Sequence, residues 1–369
     1  MFNQLESYAR AIRLTPDDVI VSWLPLYHDM GLIAGFLMPI LCGVPLVLMS
    51  PFDWVRVPAR LLQAVSQYRG TLTWLPNFAY NFCAQKIRDR QLEGVDLSLW
   101  RAVINCSEPM HAESHRMFRE KFAPYGLRPD ALATCYAMAE NVFAITQGGI
   151  ESPVTEDVIG LAAFVGERRA LPGPDAEPSL TMLSAGRPLE NVKVRVLDEA
   201  RAPLPDRVIG EIALRSNCML TGYFKRPDAN AQAFHEGWYL TGDLGYLADG
   251  ELYITGRKKD LIIVGGKNVY PQDLEYLANE VPGVYPGRVV AFGVYDEQAG
   301  TEEVVLIAET DATDLAERQH LADEIRMRVT KGTAVALRVV ELVAREWLVK
   351  TSSGKVARGA NREKYLEGT

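Results

Sequence analysis

Hydrophobic and polar positions along this chain switch between two periods. In the first third, short β-rich runs bounded by turn residues alternate with stretches of helical spacing. Thr15-Pro-Asp-Asp-Val-Ile-Val-Ser-Trp23 reads as a turn entering a strand, residues 58–67 as a helix and Gly70-Thr-Leu-Thr-Trp-Leu75 as a strand. Residues 79–90 read as a further helix and Arg101-Ala-Val-Ile-Asn105 as the next strand. Strands alternating with helices predict a layered α/β arrangement. From Lys193 the period shortens to two: Val-Arg-Val-Leu197, Gly210-Glu-Ile-Ala-Leu-Arg215 and Glu251-Leu-Tyr-Ile-Thr255 predict antiparallel strands. After Arg257 the pattern restarts, with helices over 272–280 and 315–330 and strands over 288–294, 303–309 and 335–343. The fold predicted is therefore a large α/β domain with a small antiparallel β part, residues 1–257, followed by a small α+β domain, residues 258–369. The joint is placed at Lys258–Asp260. Residues 166–179, with clustered charges and three prolines, predict a mobile surface loop or an inserted element.

Residues 30–49 carry no charge over a length that could span a membrane. Pro39, Pro45 and three glycines interrupt it, and a helix followed by a buried parallel strand, Pro45-Leu-Val-Leu-Met49, accounts for the run better. Hydrophobic residues make up 48% of the chain, enough for a sizeable core. A net charge of -8 without a Lys/Arg block argues against nucleic acid or an anionic lipid surface as partner. The five cysteines are scattered with no Cys-x-x-Cys, which predicts reduced thiols rather than a zinc site or a disulfide framework. The N-terminus lacks the basic, apolar and small-residue regions of a signal peptide. A cytoplasmic location is expected.

Candidate chemistry concentrates late in the chain. Tyr253-Ile-Thr-Gly-Arg257-Lys-Lys-Asp260-Leu-Ile-Ile-Val-Gly265-Gly266 joins a strand, a charged joint, a second strand and a glycine turn, the build of a hinge. Together with Tyr239-Leu-Thr-Gly-Asp243 and Thr351-Ser-Ser-Gly-Lys355, it resembles the signature of the acyl-adenylate-forming (AMP-binding) superfamily, the acyl-CoA synthetases and fatty acyl-AMP ligases. The resemblance extends over essentially the whole chain but reaches only the later part of the family's large domain. The family's Ser/Thr/Gly-rich phosphate loop, ending in Pro-Lys-Gly upstream of Trp23-Leu-Pro-Leu-Tyr27-His28-Asp29, is absent. The resemblance implies a truncated large domain whose N-terminal portion either lies outside this sequence or is encoded separately, as a partner.

That resemblance implies ATP-dependent activation of a fatty acid to an acyl-AMP, with Mg2+, followed by transfer to a thiol of CoA or of an acyl carrier protein's phosphopantetheine. The needs are charge neutralisation and in-line positioning. Asp243 would accept the ribose hydroxyls and Arg257 would contact the nucleotide. Lys355 would bridge the carboxylate and the α-phosphate as a point charge, and Lys259 would be the pivot of the C-terminal domain. Tyr136-Ala-Met-Ala139-Glu140 matches the family's Tyr-Gly-x-Thr/Ala-Glu motif, with Tyr136 on adenine and Glu140 as a hard oxygen ligand for Mg2+. Ser107 and Glu108 lie at the turn against the base, and that turn opens a strand-to-helix crevice. His28 would gate or orient the carboxylate, the alternative being a histidine merely held by Asp29. Met30, Leu32, Ile33, Phe36, Leu37 and Met38 would wall an acyl tunnel or fill core. Tyr270-Pro271-Gln272 and Ala139 point to an acyl-AMP ligase that loads a carrier protein. Gly265-Gly266, whose bare backbone lets a pantetheine arm approach, points to CoA. The balance of these signals leans to an acyl-CoA synthetase. The missing phosphate loop leaves a non-catalytic nucleotide- or carrier-binding module as a further alternative.

Overall fold

The computed structural model describes residues 1–173, 178–265, 267–297, 300–333, 335–351 and 354–368. The chain divides into two compact units. One holds Met1–Ile159 and Ser179–Ile254; the other holds Gly160–Leu171 and Thr255–Thr369. The chain leaves the first unit within the strand Glu251–Arg257, just ahead of a single 3-10 turn, Lys258–Asp260. Of the expected loop over 166–179, residues 174–177 lie outside the described residues. Its beginning instead completes a helix, Leu161–Glu167, that groups with the second unit, where Phe164 packs on Tyr270.

The first unit opens with helix α1 (Phe2–Ala11) and is built on a parallel sheet of β1 (Ile20–Ser22), β2 (Leu46–Leu48), β3 (Leu72–Leu75), β4 (Ala102–Cys106) and β5 (Leu132–Cys135). Their spatial order is β2-β1-β3-β4-β5. Between strands run a π-helix Met30–Leu37, α2 (Met38–Cys42), α3 (Pro51–Arg56), α4 (Ala59–Gln67), α5 (Asn77–Lys86) and α6 (Ala112–Phe122). β1, β3, β4 and β5 are buried along their whole length, as covered parallel strands must be. The expectation for β2 fails: it lies at the sheet edge, Leu46 and Val47 are half-buried and Leu48 is exposed. Its run of apolar residues reads like a central strand because composition does not report which edge has a neighbour. Gly31 in the π-helix is required by close approach, since a Cβ there would sit 2.3 Å from the Pro25 carbonyl oxygen. An antiparallel sheet follows, in which Val192–Leu197 pairs with Gly210–Ser216 and that strand with Trp238–Ala248. No helix among the described residues is long and apolar enough to cross a membrane.

The second unit carries a three-stranded sheet of Val284–Asp296, Thr301–Thr310 and Val339–Val343. Its alternation is two-faced. Val289, Ala291, Leu306 and Ala308 pack with Leu274, Ala278, Ile325 and Val329 of the helices Pro271–Asn279 and Leu315–Thr333. Val290, Phe292, Val305 and Ile307 pack on the other side with Leu348 and Tyr365 of the C-terminal segment. Arg358 pins that segment, pairing with Asp260 at 2.6 Å and Glu275 at 2.8 Å and donating to the Ala291 carbonyl at 2.9 Å.

Candidate active site

The parallel strands β1, β3, β4 and β5 end on one side of the sheet, and each is followed by a segment that sequence reading singled out or that supports one. This is the crevice where open α/β sheets hold ligands. β4 and β5 are in register with Cys106 opposite Cys135, so Ser107 and Tyr136 leave adjacent strand ends. Ser107 adopts φ 73°, a left-handed turn uncommon for a side-chain-bearing residue, and its Oγ lies 3.7 Å from Met30 Sδ. That contact ties the turn to the segment carrying His28. Glu108 accepts from the Phe78 amide at 3.0 Å, so its carboxylate caps the start of α5. His28 Nδ1 stands 2.6 Å from Asp29 Oδ1, the alternative partner anticipated for it.

A second group of residues converges from far apart in the chain. The Tyr136 hydroxyl donates to Asp243 Oδ2 at 2.6 Å, across 107 residues, and Asp243 is only 6% exposed. The Asp243 amide donates to Thr241 Oγ1 at 3.0 Å, a local bond that fixes the Thr241-Gly242-Asp243 turn. Glu140, in the 3-10 turn Ala139–Asn141, accepts from the Tyr223 hydroxyl at 2.9 Å, and that hydroxyl lies 2.9 Å from the Tyr239 hydroxyl. Burial pushes both phenols upward, and beside Glu140 neither has reason to ionise. Behind Glu140, buried Asn141 donates to Gln4 Oε1 at 3.2 Å and to the Ala144 carbonyl at 2.8 Å, tying the turn to α1.

Sequence reading gave no role to Tyr223 and Tyr239. Tyr239 was visible as the first residue of Tyr-Leu-Thr-Gly-Asp243, but its meeting with Tyr223 and Glu140 is a matter of tertiary contact. Nor did sequence reading find the layer beneath the Cys106–Glu108 turn. There Asn105 Nδ2 donates to Asn77 Oδ1 at 2.9 Å and lies 3.1 Å from His115 Nε2, and Asn77 Nδ2 donates to Ser114 Oγ at 3.1 Å.

In the second unit Arg257 and Lys259 are exposed at the joint. Gly265 has φ 56° and nothing within 4 Å of a built Cβ; Gly266 lies outside the described residues. The Lys355 carbonyl accepts from the Thr351 amide at 2.8 Å, and the Thr351 carbonyl accepts from the Gly354 amide at 2.9 Å; Ser352 and Ser353 lie outside the described residues. Tyr136, Glu140, Asp243, Ser107, Glu108 and His28 thus belong to the first unit, and Arg257, Lys259, Gly265 and Lys355 to the second.

The donor set suits a nucleotide held at a strand-end crevice. Asp243 is a buried carboxylate with an orienting phenol, fit to accept from a ribose diol. Among the described residues no cluster of three His, Cys, Asp or Glu side chains forms a metal cage. A single carboxylate such as Glu140 fits a Mg2+ ion that takes its other ligands from phosphates and water.

The model of the family "AMP-binding enzyme" matches residues 1–224. This chain belongs to that family. Within it, the chain is similar to the medium-chain-fatty-acid–[acyl-carrier-protein] ligase JamA of Moorena producens, 34% identical over 96% of this chain and 62% of the relative. It is also similar to the long-chain-fatty-acid–AMP ligase FadD26 of Mycobacterium bovis, 35% identical over 95% of this chain and 62% of that one. A putative acyl-CoA synthetase of Caulobacter vibrioides is 32% identical over 97% of this chain and 63% of its own length. Among solved structures, one from a study of the fatty acyl-adenylate ligases of E. coli and L. pneumophila superposes with TM-score 0.90 at 31% identity, over 99% of this chain and 66% of that one. The chain spans about 62% of the length of the curated relatives it matches.

Proposed function

We propose that this chain handles the nucleotide and the carboxylate in an AMP-forming fatty acid–thiol ligase. The observation that carries the reading is the buried Asp243 held by Tyr136 at a strand-end crevice, with Glu140 nearby in sequence on a turn fixed to α1. A fatty acid carboxylate oxygen attacks the α-phosphorus of ATP, pyrophosphate leaves, and the acyl-AMP then yields its acyl group to a thiol as AMP departs. Little covalent work falls to the protein, so binding and electrostatics supply the rate.

In this reading Asp243 accepts from the ribose hydroxyls while Tyr136, already bonded to it, lies against the base beside the Ser107–Glu108 turn. Arg257 donates to the nucleotide from the hinge, and Lys355 places its ammonium between the carboxylate and the α-phosphate. Glu140 would hold Mg2+, which neutralises phosphate charge when bound. His28, set by Asp29, orients the acid; an ionised carboxylate needs no general base. Lys259 is the pivot between adenylation and thiol transfer, giving the boundary at residues 257 and 258 its meaning.

The acceptor is a phosphopantetheine thiol. Relatives named as carrier-protein and AMP ligases support a carrier protein as its bearer. The open backbone at Gly265 supports CoA. The residues read as contacts to adenine, ribose and the reacting carboxylate all lie in this chain, so it should bind acyl-AMP. The test is fatty-acid-dependent ATP/pyrophosphate exchange by the purified chain across several chain lengths, with Lys355→Ala as control. It is followed by presentation of synthetic acyl-AMP with CoA or a phosphopantetheinylated carrier protein. Exchange abolished in the Lys355→Ala variant supports a complete adenylation site; acyl transfer without exchange supports the second half-reaction alone. A chain that neither exchanges pyrophosphate nor binds acyl-AMP sinks the proposal.

A further inference from the structure

The antiparallel sheet of the first unit shows its two faces to different surroundings. Val192, Val194, Ile212, Leu214 and Tyr239 point into the core. The opposite face carries Lys193, Arg195 and Arg215, all exposed, over a small apolar floor of Leu197, Ala213 and Trp238. Lys193 lies directly across from Arg215, and Arg195 across from Ala213 on the same pair of strands. Both guanidiniums cover one indole: Arg195 Cζ is 4.4 Å and Arg215 Cζ 4.8 Å from the Trp238 ring centroid. Under that cover Trp238 is only 8% exposed.

Folding alone does not favour this arrangement. Like charges directly opposite on neighbouring strands repel. Among the described residues no carboxylate pairs with Lys193, Arg195 or Arg215, in a chain with 47 acidic against 39 basic residues. Acids nearby on the same strands and turns are engaged elsewhere: Glu211 accepts from the Gly242 amide at 3.2 Å and Asp198 from the Ala202 amide at 2.8 Å. Arg215 is held in place, its Nε donating to the Gly237 carbonyl at 3.0 Å and its Nη2 to that of Glu236 at 2.6 Å. Arg195 makes no hydrogen bond among the described residues, so its donors are available while the ring fixes its plane. The three cations come together only through strand pairing, which is why the sequence shows no basic block.

The geometry selects among anionic partners. Two guanidinium forks held flat match carboxylates, which they can bind bidentately. Trp238 lies beneath the cations and offers no face for stacking on a base or entering a lipid surface. A net charge of -8 opposes an extended polyanion. A protein surface rich in carboxylates fits, and tryptophan and arginine anchors are the residues on which protein interfaces depend most. Trp238 and Tyr239 are consecutive on one strand, so this face lies directly behind the Tyr239, Tyr223 and Glu140 cluster. We propose that it docks an acidic protein, the bearer of the thiol that takes the acyl group. The inference rests on the reading of that acceptor as a phosphopantetheine arm on a carrier protein. Lys193, Arg195 and Arg215 steer and seat the carboxylate-rich surface, and the flexible arm spans from there to the reacting centre.

The purified full chain is titrated with a fluorescently labelled, phosphopantetheinylated acyl carrier protein of net negative charge, followed by anisotropy at low and high salt. Acyl transfer from synthetic acyl-AMP is measured separately, with that carrier protein and with free pantetheine. Lys193→Glu and Arg195→Glu should each weaken carrier binding about tenfold or more and raise the KM for the carrier, with kcat and transfer to free pantetheine unchanged. Native binding should weaken as salt rises. Lys193 makes no hydrogen bond or ion pair among the described residues, so its reversal reads the charge without disturbing the fold. Lys86→Glu, exposed on α5, should change nothing. Binding that survives both reversals, no carrier binding by the native chain, or tighter Arg195-dependent binding of a DNA duplex or of phosphatidylserine vesicles would each overturn the inference. Carrier binding that depends on Lys193 and Arg195 without any acyl transfer upholds the docking face and counts against the ligase reading instead.

Discussion

His115 makes the first unit sensitive to acid through a single buried ring. It is 5% exposed on α6, stacked on Tyr80 with ring centroids 5.0 Å apart, and its Nε2 lies 3.1 Å from Asn105 Nδ2. Because the same amide nitrogen donates to Asn77 Oδ1 at 2.9 Å, its orientation is set, and His115 must accept with an unprotonated Nε2. A proton there would face donor with donor at a buried position. Burial, and then the charge of Arg119, push its pKa down from 6.5 to about 3. A pKa lowered on folding contributes stability that is fully present above 6.5 and is lost as pH falls toward 3. Between about pH 8 and about pH 5 the unfolded imidazole takes up its proton while the folded one stays neutral, so this residue alone should remove about 2 kcal/mol. His111, pushed down to about 4 by burial, acts in the same direction, but its residue is only half-buried and it contributes less. His115→Gln keeps an acceptor near Nε2 and does not titrate. Urea unfolding of both proteins across that pH range, followed by tryptophan fluorescence, isolates the effect because all other groups cancel in the difference. The variant's stability relative to the native chain should rise by about 2 kcal/mol on acidification. A difference that stays constant with pH would refute the argument, whatever its absolute size.

Two further outcomes follow from named contacts. Asp243→Asn replaces a carboxylate that receives the Tyr136 hydroxyl, so AMP affinity measured by calorimetry should fall about 10- to 150-fold, the cost of one or two hydrogen bonds to a charged group. Unchanged affinity would remove Asp243 from the nucleotide site. Arg358→Met leaves Glu275 and Asp260 without their shared cation, and burial already pushes the Glu275 carboxyl upward. The second unit should lose about 3 kcal/mol or more in thermal unfolding, and Arg358→Met with Glu275→Leu should recover most of it, since uncharged replacement of a buried pair is nearly neutral. A double variant no more stable than the single one contradicts that account.

Much of the architecture was legible from periodicity alone. The strands of the first sheet and the helix over 58–67 appear within a few residues of where hydrophobic spacing put them, as do the elements of the C-terminal unit, because burial of one face or two imposes a period on the sequence. Tyr136, Glu140 and Asp243 stand out in the sequence for another reason, since short motifs set such residues apart locally. Tertiary structure alone decided which of these meet. The 2.6 Å bond from Tyr136 to Asp243 and the Tyr223, Tyr239 and Glu140 cluster join positions tens of residues apart, and nothing in local spacing encodes such a contact. The same holds for β2. Pro45-Leu-Val-Leu-Met49 has the composition of a buried central strand, and only the order of the sheet shows it at an edge, because an apolar run does not record how many neighbours a strand has.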